Sequence, residues 1–150
     1  MTQGCGMETA KMGKVIVVAK IESLSDLYQV KLGQIPSDQV RTITVSDALI
    51  DTGATALSMP KRLIAQLGLN PMRVRRARTS SGVGTFQMFD AVRLTVQDRD
   101  CLCDVMELPD DCPVLIGQIP LEQLDFVVDP IGQRLIGNPA HNGEQMYELY

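Results

Sequence analysis

A chain of 150 residues with 45% hydrophobic content is sized for one domain, and its core needs neither a metal nor disulfide staples. Its 14 Lys and Arg against 18 Asp and Glu leave a net charge of -4, which argues against a general nucleic-acid or membrane-surface binder and does not favour acidic partners. The longest apolar run near the N-terminus, Val15 to Ala19, is far too short for a signal-peptide core or a spanning helix, so a soluble chain with no membrane partner is expected, and the few, clustered cysteines place it in a reducing cytoplasm.

Residues 1–13 carry three glycines and no apolar period, and are read as a flexible N-terminal arm. The stretches KVIVVAKI and LYQVKL are β-branched or alternating, and the intervening ESLSD is turn-like, so the two are expected to pair as a hairpin. RTITVSDALI is a strand running into Asp51. Beyond a glycine turn, Ser58-Met59-Pro60 signals a helix start, Leu63, Ile64 and Leu67 follow at helical spacing, and Gly68 ends it. RVRRART, SSGVGT and FQMFDAVRLTV form a strand, a glycine-rich hairpin tip and a strand, with a further strand over Cys101 to Met106. PVLIG gives a buried strand, Leu121 to Leu124 a short helix, and the segments ending at Asp129 and at QRLIGNP two last strands. The whole is mostly β with one or two short helices: an arm at 1–13, one domain at 14–139, and a tail at 140–150 to which no role is assigned.

Four cysteines are too few and too clustered for a secreted disulfide framework. Cys101, Cys103 and Cys112 offer three thiolates to a metal, but a structural zinc site takes four ligands and the sole histidine, His141, is in the tail, so buried inert thiols are expected instead. Arg73, Arg75, Arg76 and Arg78 form a basic cluster, yet strand alternation divides them between two faces; they fit a solvated hairpin arm better than a nucleic-acid stripe. No dinucleotide fingerprint, phosphate-binding loop or G-x-S-x-G elbow is present.

The segment ALIDTGATALSMP carries the chemistry. A carboxylate at the mouth of an apolar strand is costly unless donors surround it, and Thr52 and Gly53 flank Asp51 with such groups. In isolation, Asp-x-Gly is most often a turn with an Asx side-chain bond. Here Leu49-Ile50-Asp51-Thr52-Gly53-Ala54-Thr55 resembles the active-site motif of aspartic proteases, and the helix at Pro60, the glycine hairpin at Gly82 to Gly84 and the VLIG strand follow in that family's order over roughly residues 14 to 139.

The motif occurs once, so the chain is similar to the retropepsin-like, single-motif members of the family. The resemblance implies a closed β-barrel of the acid-protease type, one lobe per chain, and a homodimer in which Asp51 of each copy joins a carboxylate dyad hydrolysing peptide bonds, with no cofactor. It further implies that Thr52 and Gly53 support the active-site loop, with the Thr52 hydroxyl bracing the opposite loop. Ala54, Thr55, Gly82, Val83 and Gly84 are the implied substrate-binding positions for a peptide or protein. Two departures stand out: Thr55-Ala56 replaces the acidic residue that retroviral enzymes usually carry after Gly-Ala, and SSGVGTF lacks the tyrosine of pepsin-like flaps. Glycines at 82 and 84 suit a hairpin tip whether or not it closes over a ligand. The alternative reading keeps the fold without the activity, as a dimeric module that binds peptides or scaffolds a complex.

Overall fold

Residues 14–79 and 81–149 are described in the computed structural model; the expected N-terminal arm lies outside them. The first strand, β1 (Ile16–Ser23), alternates strictly at its start, sending Val17, Ala19 and Ile21 inward while Ile16 and Val18 stay exposed. The chain continues through α1 (Leu24–Lys31), β2 (Thr42–Ile50), β3 (Leu57–Pro60), α2 (Lys61–Gln66), β4 (Pro71–Thr79), β5 (Gly82–Val96), β6 (Arg99–Leu108), β7 (Leu115–Ile116) and α3 (Gln118–Leu124) to a hairpin of β8 (Phe126–Asp129) and β9 (Arg134–Gly137).

Six strands close on themselves. The order β1-β2-β7-β3-β6-β5 returns to β1 through the pairing of Lys20 to Ser23 with Val92 to Thr95, so the sheet becomes a barrel, and β4 extends from it along β5. Closure removes the exposed edges an open sheet would present. Ile21, Leu57, Met59, Leu94, Val105 and Ile116 are fully buried inside. At about 25 cal/mol per Å² of apolar surface, each such side chain contributes about 1.5–3 kcal/mol, so the barrel interior is the main source of stability. This architecture is the mostly β fold that the sequence implied, with three α-helices where one or two were expected.

The additional helix corrects one expectation. LYQVKL does not pair with β1 as a hairpin strand; it lies in α1. Ser23 accepts the Asp26 backbone N–H at 3.2 Å and caps the helix, so ESLSD is a helix start. Asp26 is buried and takes the Arg41 backbone N–H at 2.9 Å and two guanidinium bonds at 2.8 Å. That bidentate pair holds the Asp26 carboxyl below its ordinary range. The strand that does pair with β1 over its length is β2, Ile16 lying opposite Leu49 and Glu22 opposite Thr42.

Ser58-Met59-Pro60 also departs from its sequence signal: read as a helix start, it lies in β3, where its backbone pairs with β6, and α2 begins only at Lys61 with no side-chain cap. Ile64 and Leu67 bury the inner face of α2, and Gly68, at φ +65, supplies the left-handed residue that stops it. β5 is 15 residues long because its two halves do different things. Val92 to Val96 belong to the barrel, whereas Gly82 to Met88 pair with β4 in a hairpin arm. A register shift between Phe89 and Val92 lies at the junction.

The tail is folded back. Asp125, the left-handed cap of α3, receives the Asn138 side-chain amide at 3.0 Å and the Met146 backbone N–H at 3.0 Å, while His141 Nδ1 lies 2.5 Å from its Oδ2. Arg99 donates to the carbonyls of Leu124 at 3.0 Å and Asp125 at 2.7 Å, and its guanidinium stacks over Phe126. No described helix is long and apolar enough to cross a membrane.

Candidate active site

The carboxylate of Asp51 stands where β2 ends. Parallel pairing of Leu49 and Ile50 with Leu115 and Ile116 carries the strand to that point, and the Asp51 N–H donates to the Ile116 carbonyl at 2.9 Å. The backbone of Asp51 is therefore fixed by the VLIG strand. Gly53 N–H then donates to Asp51 Oδ1 at 3.0 Å, and the Ala54 N–H returns to the Asp51 carbonyl at 3.0 Å. A Cβ at position 53 would lie 3.3 Å from Asp51 Oδ1, so glycine lets the amide reach the carboxylate without crowding it. Asp51 itself is partly exposed.

The loop beyond Asp51 is pinned by α3. The carbonyls of Ala54, Thr55 and Ala56 accept the N–H groups of Gln118 at 2.8 Å, Ile119 at 2.9 Å and Gly117 at 3.1 Å. These three bonds satisfy donors that the first turn of a helix would otherwise leave unpaired, and they hold the loop as part of the same action. Gly117 permits the approach: a Cβ there would lie 2.6 Å from the Ala56 carbonyl oxygen and 2.8 Å from that of Ala54. The sequence singled out the VLIG strand as a landmark but gave Gly117 no role, because its partners are 61 to 63 residues away in the chain. No local pattern signals such a contact.

Thr52 is exposed, and its hydroxyl has no hydrogen-bond partner among the described residues. Ala54 gives its backbone to the loop. Thr55 borders a cavity of about 710 Å³ that opens between the loop, β6, α3 and the hairpin arm. Gly82, Val83 and Gly84 lie at the far end of that arm and do not line the cavity; Gly82 has φ +122, Val83 is exposed, and a Cβ on Gly84 would rest 3.5 Å from the Phe86 ring. The apolar wall is built instead from Phe86, Met88, Leu102, Met106 and Ile119. Phe86 and Met88 sit two apart on one face of β5, an alternation visible in FQMF but not connected to a cavity until the arm is placed.

Cys101 and Cys103 are free, buried and on the inner face of β6. The hydrogen bond with Cys101 and burial together push the Cys103 thiol up, which keeps it protonated and unreactive. Cys112 differs from the expected inert thiol, being disulfide-bonded.

A closed ring of strands with a single Asp-Thr-Gly loop at the mouth of one of them is the mostly β protease fold, one lobe per chain. Residues 43–123, more than half of the chain, match the family described as gag-polyprotein putative aspartyl protease, and the chain belongs to that family. The matched span runs from β2 through the Asp51 loop and the hairpin arm to α3, so it contains every element that forms the loop. No curated protein matches the chain.

Proposed function

We propose that the protein is an aspartic endopeptidase that works as a homodimer, each copy giving Asp51 to a shared dyad. One observation carries this reading. The Asp51 carboxylate is held by Gly53 N–H in a loop pinned on two sides, the arrangement needed to aim an acid, and the chain has one such loop where the chemistry takes two.

In the dyad one carboxyl is protonated and the other is not. The ionised carboxylate takes a proton from the water lying between them as that water attacks the scissile carbonyl, and the protonated carboxyl gives its proton to the carbonyl oxygen. The tetrahedral diol collapses with protonation of the leaving nitrogen, and both carboxyls return to their starting charge. The exposed Thr52 hydroxyl, without a partner in its own chain among the described residues, is available to the opposite loop.

The test is specific activity on an unbiased peptide mixture, read by mass spectrometry against protein concentration and pH, with sedimentation in parallel. Half a site per chain means that dilution below the dimer dissociation constant removes activity while the protomers stay folded. Two carboxylates about 3 Å apart do not both ionise cheaply, so the rate peaks on the acid side of neutrality and falls as the pair loses its shared proton. A fully active monomer, or a rate still rising well above neutral pH, overturns the shared dyad.

A further inference from the structure

The cavity beside the Asp51 loop combines two features that do not usually meet. Its wall is apolar, with Phe86, Met88, Leu102, Met106 and Ile119, and Leu102 and Ile119 are about half exposed despite their size. Its hairpin side is cationic: Arg75, Arg76 and Arg78 all border it, against one carboxylate, that of Asp104. Among the described residues, none of these arginines enters a salt bridge, whereas Arg41 and Arg93 are each paired to a buried acid at 2.8 Å.

The register assigns one of them a specific place. Arg75 lies directly opposite Phe86 across β4 and β5, and cross-strand partners project from the same face. Arg75 therefore flanks the Phe86 ring on the face that lines the cavity. The overall charge of -4 conceals this local excess of positive charge, because the compensating acids lie elsewhere in the chain.

Resting on the protease reading above, we propose that this cleft selects acidic peptide segments: a large apolar side chain enters the cavity, and an Asp or Glu within two residues of it pairs with Arg75. An extended peptide presents alternate side chains to one face, which puts an apolar residue and a carboxylate two positions apart on the same wall. The guanidinium, exposed in the chain, supplies a planar pair of donors that matches a carboxylate. A nucleic-acid strand is the poorer fit, since the arginines border a cavity whose wall is apolar and carries the Asp104 carboxylate rather than a continuous basic stripe.

The experiment compares matched peptides that differ only in Glu against Gln near a Phe or Leu. Cleavage by the wild type is read as the ratio of kcat/KM values, and binding to the Asp51→Asn variant is read by fluorescence anisotropy. The Glu peptide is expected to be preferred roughly tenfold in both, the size of one charge-assisted bond. Arg75→Gln should bring the ratio close to one, Arg75→Lys should restore part of it, and Arg75→Glu should shift preference to a Lys peptide. Equal handling of Glu and Gln peptides overturns the inference while leaving the protease reading intact. Arg75-dependent binding of the Glu peptide with no cleavage of any peptide sustains the inference and overturns the protease reading. Single-stranded RNA that displaces the Glu peptide and binds more tightly than it overturns the acidic-peptide assignment.

Discussion

The Asp51 loop and the hairpin arm are both built from glycine and strand ends, yet they are held in opposite ways. Each side of the loop is bonded to something else: its start to Ile116, its end to the three leading N–H groups around α3, its carboxylate to Gly53. At its base the arm still pairs with β6 through Met88 and Phe89, and beyond that it runs as a two-stranded ladder from Val74 opposite Gln87 to Thr79 opposite Gly82, with Met72, Val74 and Val83 exposed. The first arrangement fixes a carboxylate from several directions at once; the second leaves large apolar side chains exposed along one ladder.

The strongest way to break the comparison is to change the acid and leave the loop alone. Asp51→Asn keeps shape and can still accept the Gly53 N–H, so folding and dimerisation should persist while turnover falls by at least about 10³-fold. Retained cleavage in this variant ends the assignment. Next in size is Gly117→Ala, which drives a Cβ into the Ala56 and Ala54 carbonyls and should destabilise the fold by about 1–3 kcal/mol as read from a denaturation midpoint. If the midpoint does not move, the loop is less tightly pinned than its hydrogen bonds indicate.

Thr52→Val separates the loop's internal bonds from its external ones. The hydroxyl is exposed in the single chain, so stability of the folded protomer should change by no more than about 0.5 kcal/mol. Dimer affinity should fall roughly tenfold or more, because a partner group loses its bond on assembly; sedimentation that shows wild-type affinity removes the bracing role. On the arm, Gly82→Ala forces an alanine to φ +122 at a local cost of about 1–3 kcal/mol. Hydrogen exchange should rise from Val74 to Phe86 with little change in the barrel, and a rise that spreads through β1 and β6 would show that arm and barrel unfold as one unit.

The smallest effect concerns the tail. Glu148 at 2.9 Å from one ring nitrogen, and Asp125 at the other, raise the His141 pKa above its ordinary value. A raised folded pKa means that this contribution is fully present below about pH 6.5 and is lost as pH rises through the higher folded value. Amide protection at Met146, whose N–H donates to Asp125, should therefore fall over that window after correction for intrinsic exchange. His141→Ala should flatten the dependence; protection that stays constant in the wild type across the same window would show that the tail is held without the charge.

Much of this molecule is written locally. The alternation of RTITVSDALI and of FQMFDAVRLTV, the glycine that stops α2, and the apolar strand entering Asp-Thr-Gly are patterns of period two, or single residues with unusual backbone freedom, and each is legible without knowing what surrounds it. Asp51 and Gly53 belong to that class, because the bond between them spans two residues. What the sequence misassigned was LYQVKL, whose alternation is as compatible with a strand as with a helix, and Ser58-Met59-Pro60, read as a helix start but paired with β6 as part of β3; the cap at Ser23 and the Asp26–Arg41 pair, 15 residues apart, decided the first for the helix. Only the tertiary structure decided that Gly117 has to be small, that Arg75 and Phe86 share a wall, and that Asp125 ties down the tail. Each of those depends on atoms brought together by strand register and barrel closure, and a one-dimensional pattern carries no record of such distances.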